Sequence, residues 1–567
     1  MTIHILKGKY KIYKGDKAAE KKFRSTLSKI LIDKFGKGPF TQNKIRDILS
    51  ISLEFYISEF TKICIEETSV RFYQDIFIMH EDATEMVYYH LEDDEELSHN
   101  IDWTYIAGYR RILKFIIETG CDVNMTNGEI KNQEYFDRVT PKIDDLFFLG
   151  EMILTCVGLF AEQSMIDDLA EVTFDENDQY QFSRRHHYEF IFEDITTNLA
   201  GQLAKAIVDN SGYGGLSDLK DAIKNCFGIN YNEVVTLIDL IHRQNESKGG
   251  PLVGNEWKVL TLNLNHLAGV PLDMAEQFFK GLTLDKTNKM TLLDLACKPY
   301  RLERYIYKPI IIWNIDGNDY AFFGKNAWAE TFNQLSSNAI PWGKAPQQWL
   351  ENKCFKKYVH KKEDAHDKWL DDEVEKILKK NNLLYDRNVK RLFYDNHSVN
   401  IDIEGLGEID FIIISPTAKK IFITDCKHLV GRYDSANQKN DFNAFSKGSK
   451  NSKSYNDTMT RKVKWFEENK IILLKHFIKK YPHTDMDLSA FKIEGIFIVN
   501  TPTLYMYNAE YRIYTVDQVE EVINNTFVDK IFTIFESNQY YDKLLKINYP
   551  YFQKPEFLKA DPFDTEY

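Results

Sequence analysis

Cysteine is scarce in this 567-residue sequence and is never set in the close pairs that a metal or a short bridge would use. The seven cysteines, Cys64, Cys121, Cys156, Cys226, Cys297, Cys354 and Cys426, are odd in number, scattered and without a CxxC spacing. Neither a disulfide framework nor a structural zinc site is expected, and a reducing cytoplasm is the expected setting. Long apolar runs are missing too. The best one, residues 146–161, is sixteen residues long and contains Glu151, so it reads as a buried helix rather than a membrane span, and no membrane partner is expected. The opening Met1-Thr2-Ile3-His4-Ile5-Leu6-Lys7 lacks the apolar run of a signal peptide. No internal period supports a solenoid, no zinc finger or RNP motif is found, and Gly212-Tyr213-Gly214-Gly215 lacks the Lys-Ser/Thr ending of a phosphate loop.

What is present is core-forming material. With 43% hydrophobic, 14% aromatic and 28% charged residues the chain is globular, and its length calls for more than one core. The net charge of −13 argues at first against a nucleic-acid partner, but its distribution is uneven. Residues 1–350 carry 38 basic against 51 acidic residues, whereas residues 351–567 balance at 34 each. Within residues 419–480 there are 15 basic against 6 acidic. A basic segment therefore lies in the neutral half.

Apolar residues at helical spacing predict helices at 18–35, 43–65, 103–119, 144–163, 187–208, 216–226 and 231–242. Near residue 308 the texture changes, and residues 309–323 read as a β-hairpin around Asp316-Gly317 that closes a mainly helical region, 1–345. Charged helices at about 346–381 lead into strands at 389–394, 409–415 and 420–425. A polar stretch, 431–457, reads as a long mobile loop. A helix at 459–480, strands at 493–500 and 511–515 and a helix at 516–524 complete an α/β order for residues 346–567.

Chemistry concentrates at Gly407-Glu-Ile-Asp410-Phe-Ile-Ile-Ile-Ser415 and Lys420-Ile-Phe-Ile-Thr-Asp425-Cys426-Lys427. An acid opens one apolar strand, Pro416-Thr417-Ala418 turns the chain, and Asp425-Cys426-Lys427 ends the next. The hairpin brings Asp410 near Asp425, and Asp425 and Lys427, two apart on a strand, share a face. Adjacent carboxylates repel, and a hard cation such as Mg²⁺, with Mn²⁺ as substitute, relieves that repulsion while binding a phosphate oxygen. The backbone carbonyl of Cys426 is a third candidate ligand beside Asp410 and Asp425. A nearby lysine can steady the charge that develops at phosphorus.

At these residues the sequence resembles the PD-(D/E)XK nuclease superfamily, across roughly residues 360–545. Joined to the helical spacing of residues 1–345, it makes the expected fold multidomain α+β: a large mainly helical N-terminal region followed by the α/β restriction-endonuclease-like domain that the resemblance implies. The resemblance also implies that Asp410 and Asp425 are the metal-binding acids and Lys427 the catalytic lysine. Trp369-Leu-Asp371-Asp-Glu373-Val374 looks like the acid-bearing helix of Mrr-type members. Asp371 aligns with its glutamate and Glu373 competes, because both flank the apolar seam of Leu370, Val374, Ile377 and Leu378. The implied activity is Mg²⁺-dependent endonucleolytic hydrolysis of DNA, and by analogy a bacterial restriction or antiviral defence role. RNA cleavage is a close variant. The rivals are a catalytically inactive nucleic-acid-binding or scaffold protein, and a chain whose N-terminal region captures protein partners or self-associates.

The basic segment supplies candidate phosphate contacts: Arg432, Lys439, Lys447, Lys450 and Lys453, continued by Arg461, Lys462 and Lys464 beside Trp465. Arg184-Arg185-His186-His187 reads as structural, His428 as packing on the face opposite Lys427, and Trp313, Phe322 and Phe323 as core.

Overall fold

A computed structural model describes residues 2–7, 10–89, 103–128, 132–209, 215–246, 255–432, 434–448, 453–482, 487–538 and 541–553. It is a mixed α+β chain, helical in its N-terminal part, with two compact units. The first is Met1–Phe160, Ala170–Ser183 and Ser211–Asp364; the second is Ala161–Leu169, Arg184–Asn210 and Ala365–Tyr567. Two short pieces of the first half of the sequence thus belong to the second unit. Arg184 and Arg185 lie in one of them and make structural ion pairs with Glu162 and Asp168 from the other.

In the first unit, helices Lys17–Phe35, Gln42–Glu66, Trp103–Thr119 and Tyr231–Glu246 follow the apolar spacing. Strands Ile310–Ile315 and Asn318–Phe322 pair antiparallel, and Asp316 and Gly317 both adopt positive φ, the backbone that a two-residue hairpin turn demands. Trp313, Phe322 and Phe323 are buried in the core. Phe278 stacks on Trp349 at 5.3 Å between ring centroids. Contrary to the expectation from cysteine spacing, Cys226 and Cys354 form a disulfide. They lie 128 residues apart, so local spacing carried no sign of the bridge.

The second unit is built on a five-stranded sheet. A helix, α1 (Lys353–Lys380), precedes strands β1 (Leu384–Val389), β2 (Ile409–Ser415) and β3 (Lys420–Lys427). Helices α2 (Ser435–Ser446), α3 (Tyr455–Glu468) and α4 (Lys470–Lys480) lead to β4 (Lys492–Val499) and β5 (Ile513–Thr515). The sheet order is β1-β2-β3-β4-β5: the first three strands form an antiparallel meander, and β4 and β5 continue parallel to β3. Leu370, Val374 and Leu378 of α1 pack on Phe411, Ile413, Phe422 and Ile498, so α1 covers one face. The other face receives α3, whose Met459 and Val463 lie so close to Gly495 of β4 that a Cβ there would meet them at 2.7 Å. Only glycine lets the helix settle onto the strand.

The expected mobile loop over 431–457 is largely helical instead: it holds α2 and the start of α3. Asp434 caps α2 by accepting from the Asn437 N–H, and two buried aromatics, Phe442 and Phe445, dock on Tyr505. Those few anchors suffice in a stretch whose average polarity reads as loop.

Candidate functional site

The β2–β3 register sets the site. Phe411 pairs with Thr424, and one step further the same register brings Asp410 opposite Asp425. Directly opposed residues share a face, and Lys427, two beyond Asp425, joins them. They point to the α3 side, since Ile423 and Asp425 of β3 neighbour Gly495 and Phe497 of β4. The structure therefore brings Asp410, Asp425 and Lys427 together. Lys427 Nζ lies 3.3 Å from Asp425 Oδ2 and 5.0 Å from the centre of the Tyr455 ring. The Lys427 side chain is 24% exposed, against 3% for Asp425, so the lysine forms the rim and the carboxylate the floor.

A fourth member comes from α3. Lys462 Nζ donates to Asp425 Oδ1 at 2.6 Å and to the Glu408 carbonyl at 2.8 Å, and its side chain is only 4% exposed. Sequence reasoning placed Lys462 among surface phosphate contacts; it sits inside the site. Its helical phase is the signal: it shares the inward side of α3 with Met459, Val463 and Phe466.

Asp410 Oδ2 accepts from the Cys426 N–H at 2.6 Å. The Cys426 side chain lies on the opposite face, where its thiol bonds to Asp371 of α1. Asp371 also lies 3.8 Å from Arg387. Glu373 turns away and pairs with Lys376 at 2.5 Å. Of the two competing helix acids, Asp371 is the one at the sheet, approaching it from the face opposite Asp410 and Asp425.

Electrostatics separate the two facing carboxylates. Burial, then the charge of Asp425, pushes the Asp410 carboxyl up to about 7. Burial also opposes ionisation of Asp425, but the Lys427 and Lys462 ammonium groups outweigh it and hold its carboxyl below the usual range. Burial likewise disfavours charge on Lys427, and Asp425 and Asp410 override it to keep the amine protonated. Burial raises Asp371. Two carboxylates thus share a site in which one is ionised and the other resists ionisation, the split expected of like charges at close range.

The donor chemistry, two facing carboxylate groups, suits a hard cation. Yet both Asp425 oxygens engage lysines. Among the described residues no group of three or more His, Cys, Asp or Glu side chains is arranged to hold a metal.

The basic candidates divide. Arg432 pairs with buried Asp441 at 2.6 Å. Lys439 is partly buried on α2, while Lys447 and Lys453 are exposed, Lys447 at the α2 C-cap. Arg461 and Lys464 line a groove on the outer side of α3. Lys450 lies outside the described residues, as do Gly212, Tyr213 and Gly214. His428 packs on His366, 4.1 Å between ring centroids, on the α1 side. Compared with protein-family models, curated proteins and solved structures, the chain matches none.

Proposed function

We propose that this chain is a metal-dependent nuclease that hydrolyses phosphodiester bonds in nucleic acid, DNA being the leading substrate, and that its second unit is a restriction-endonuclease-like domain. The observation that carries the reading is the convergence of Asp410, Asp425 and Lys427 at the adjoining ends of β2 and β3. The sheet supports it: adjacent strands β2 and β3 carry the two acids, and the preceding helix α1, which bears Asp371, packs on one face, the order of parts that the sequence resemblance implies. Asp410 and Asp425, with the Cys426 carbonyl, would hold Mg²⁺ or Mn²⁺. When bound, the ion supplies Lewis-acid polarisation of a phosphate oxygen. Lys427, charged and at the rim, donates to a non-bridging phosphate oxygen as negative charge builds there. Lys462 fixes the Asp425 carboxylate from behind. Asp371 bonds the side chain of the residue between Asp425 and Lys427, which steadies the end of β3.

Purified protein is expected to nick or degrade DNA with Mg²⁺ or Mn²⁺, and Asp425→Ala and Lys427→Ala to abolish it. Equal turnover in wild type and both variants overturns the reading. A matched panel of single- and double-stranded DNA and RNA identifies the substrate.

A second reading, a non-catalytic nucleic-acid-binding protein, is favoured by one observation: Lys427 and Lys462 already satisfy Asp425. It predicts binding without turnover, with log affinity falling against log salt at a slope of about 0.9 per phosphate contact on duplex DNA.

A further inference from the structure

The outer side of α3 borders a groove of about 430 Å³, within the range of clefts that hold a small organic group. One wall is a helical stripe, Arg461, Lys464, Trp465 and Glu468, spaced three and four residues apart. The other wall is the turn through Ile403, Gly405 and Leu406, and Lys453 also lines the groove. Helix α3 therefore has two working sides. Lys462 reaches inward to Asp425, while its neighbours Arg461 and Lys464 face the groove. The loop is shared as well: Glu408 gives its carbonyl to Lys462, and Ile403–Leu406 lies just before it in the chain.

The groove is pre-shaped for an anion beside a flat apolar group. Arg461 Nε donates to the Asp457 carbonyl and Nη2 to the Thr458 hydroxyl, so neutral groups orient the guanidinium. Its Nη1 passes 2.8 Å from the point a Cβ on Gly405 would occupy, and Gly405 has a φ of +89°. The positive φ favours glycine at 405, and the missing Cβ leaves room for the end of the arginine side chain above it. Trp465 is half-buried, and Ile403, 49% exposed, adds an apolar surface. Indole, isoleucine and cations together match the face of a nucleobase and its phosphate. Glu404 and Glu468 add acceptors suited to base amino groups. An indole can stack only on a base that is not already stacked between neighbours in a duplex.

We propose that this groove is a subsite for an unpaired nucleotide, with its base on Trp465 and its phosphate on Arg461, aided by Lys453 and Lys464. It thereby selects single-stranded or locally opened nucleic acid. The inference rests on the reading of the Asp410–Asp425–Lys427 site as a phosphodiesterase, which the groove adjoins through α3 and the 403–408 loop.

The test is fluorescence anisotropy with the full chain in EDTA, so that binding is read without cleavage. The probes are labelled thymidine and uridine oligonucleotides and a mixed-sequence DNA duplex of equal length. Trp465→Ala is expected to weaken single-strand binding roughly tenfold while changing duplex binding little. Trp465→Phe should retain most of the affinity, and Arg461→Gln should reduce the salt slope on the single strand by about 0.7. Wild type that fails to bind single strands, or a Trp465→Ala loss equal on single strand and duplex, overturns the subsite. Unchanged single-strand affinity in both Trp465→Ala and Arg461→Gln does the same. If Trp465 governs single-strand affinity but no metal gives cleavage, the nuclease reading fails and the subsite stands. Metal-dependent cleavage without any effect of Trp465 on binding overturns the subsite and leaves the nuclease reading in place.

Discussion

Two clusters of buried charge, one in each unit, look alike as a collection of ion pairs and differ in what their charges face. In the first unit Glu330 accepts from Arg110 at 2.5 Å with Lys114 at 3.5 Å, and Glu118 pairs with Arg304 at 2.9 Å. Each of these carboxylates faces cations, and all five side chains are at most 12% exposed. Although burial opposes it, Arg110 and Lys114 hold Glu330 down at about 2. Burial in turn brings Lys114 down to about 8. In the second unit Asp410 faces another carboxylate, and the adjacent Lys427 reaches solvent. Displaced ionisation is thus common to both clusters. Two facing carboxyls beside a lysine that reaches solvent mark the second cluster, and it is on this frustration, which a cation or a substrate would relieve, that the proposed activity rests.

Breaking each cluster separates the two roles. Asp425→Ala is expected to lower cleavage by at least a thousandfold, about 4 kcal/mol of transition-state stabilisation, in single-turnover assays with Mg²⁺. Glu330→Ala should instead leave Arg110 and Lys114 buried without their partner and cost about 3–5 kcal/mol of stability, read as a lower urea midpoint. If Glu330→Ala protein that remains folded loses cleavage as completely as Asp425→Ala, the distinction between structural and reactive clusters collapses. A smaller effect concerns the first unit alone. The Cys226–Cys354 bridge closes a long loop, so Cys226→Ser should remove about 2–4 kcal/mol. The loss should appear in the thermal transition of the first unit while Mg²⁺-dependent cleavage persists.

The Asp410–Asp425–Lys427 cluster was the more legible of the two. Nearly pure Ile and Phe strands bounded by Asp410 and Asp425 specify a hairpin, and the two-residue strand period places Lys427 beside Asp425. Contacts made through tertiary packing were not legible in that way. Lys462 lies 37 positions from Asp425, and its role depends on α3 settling over Gly495. Asp371 and Glu373 flank the same apolar seam, so only the position of Cys426 separates them. Helix α2 escaped because it is anchored by two aromatics and a cap rather than by a periodic apolar stripe. The Glu330 cluster joins residues more than two hundred positions apart, which no motif connects.

The prediction that sharpens the contrast most is the pH dependence of stability in EDTA. Asp410 has a folded pKa raised from 3.8 to about 7, so between those values the folded state holds a proton that the unfolded chain has lost. Its contribution to stability is full below about pH 4 and declines as pH rises towards 7. Glu330 is depressed from 4.5 to about 2, so its contribution is full above pH 4.5 and is lost as pH falls towards 2. The difference in urea midpoint between wild type and Asp410→Asn should therefore slope one way from pH 4 to 7. The difference between wild type and Glu330→Gln should slope the opposite way below pH 4.5. Adding Mg²⁺ should offset the Asp410 slope, because a cation between the carboxylates favours their charged forms, and leave the Glu330 slope unchanged. Slopes of the same sign would mean that Asp410 is held by cations as Glu330 is, and the second cluster would then be structural too.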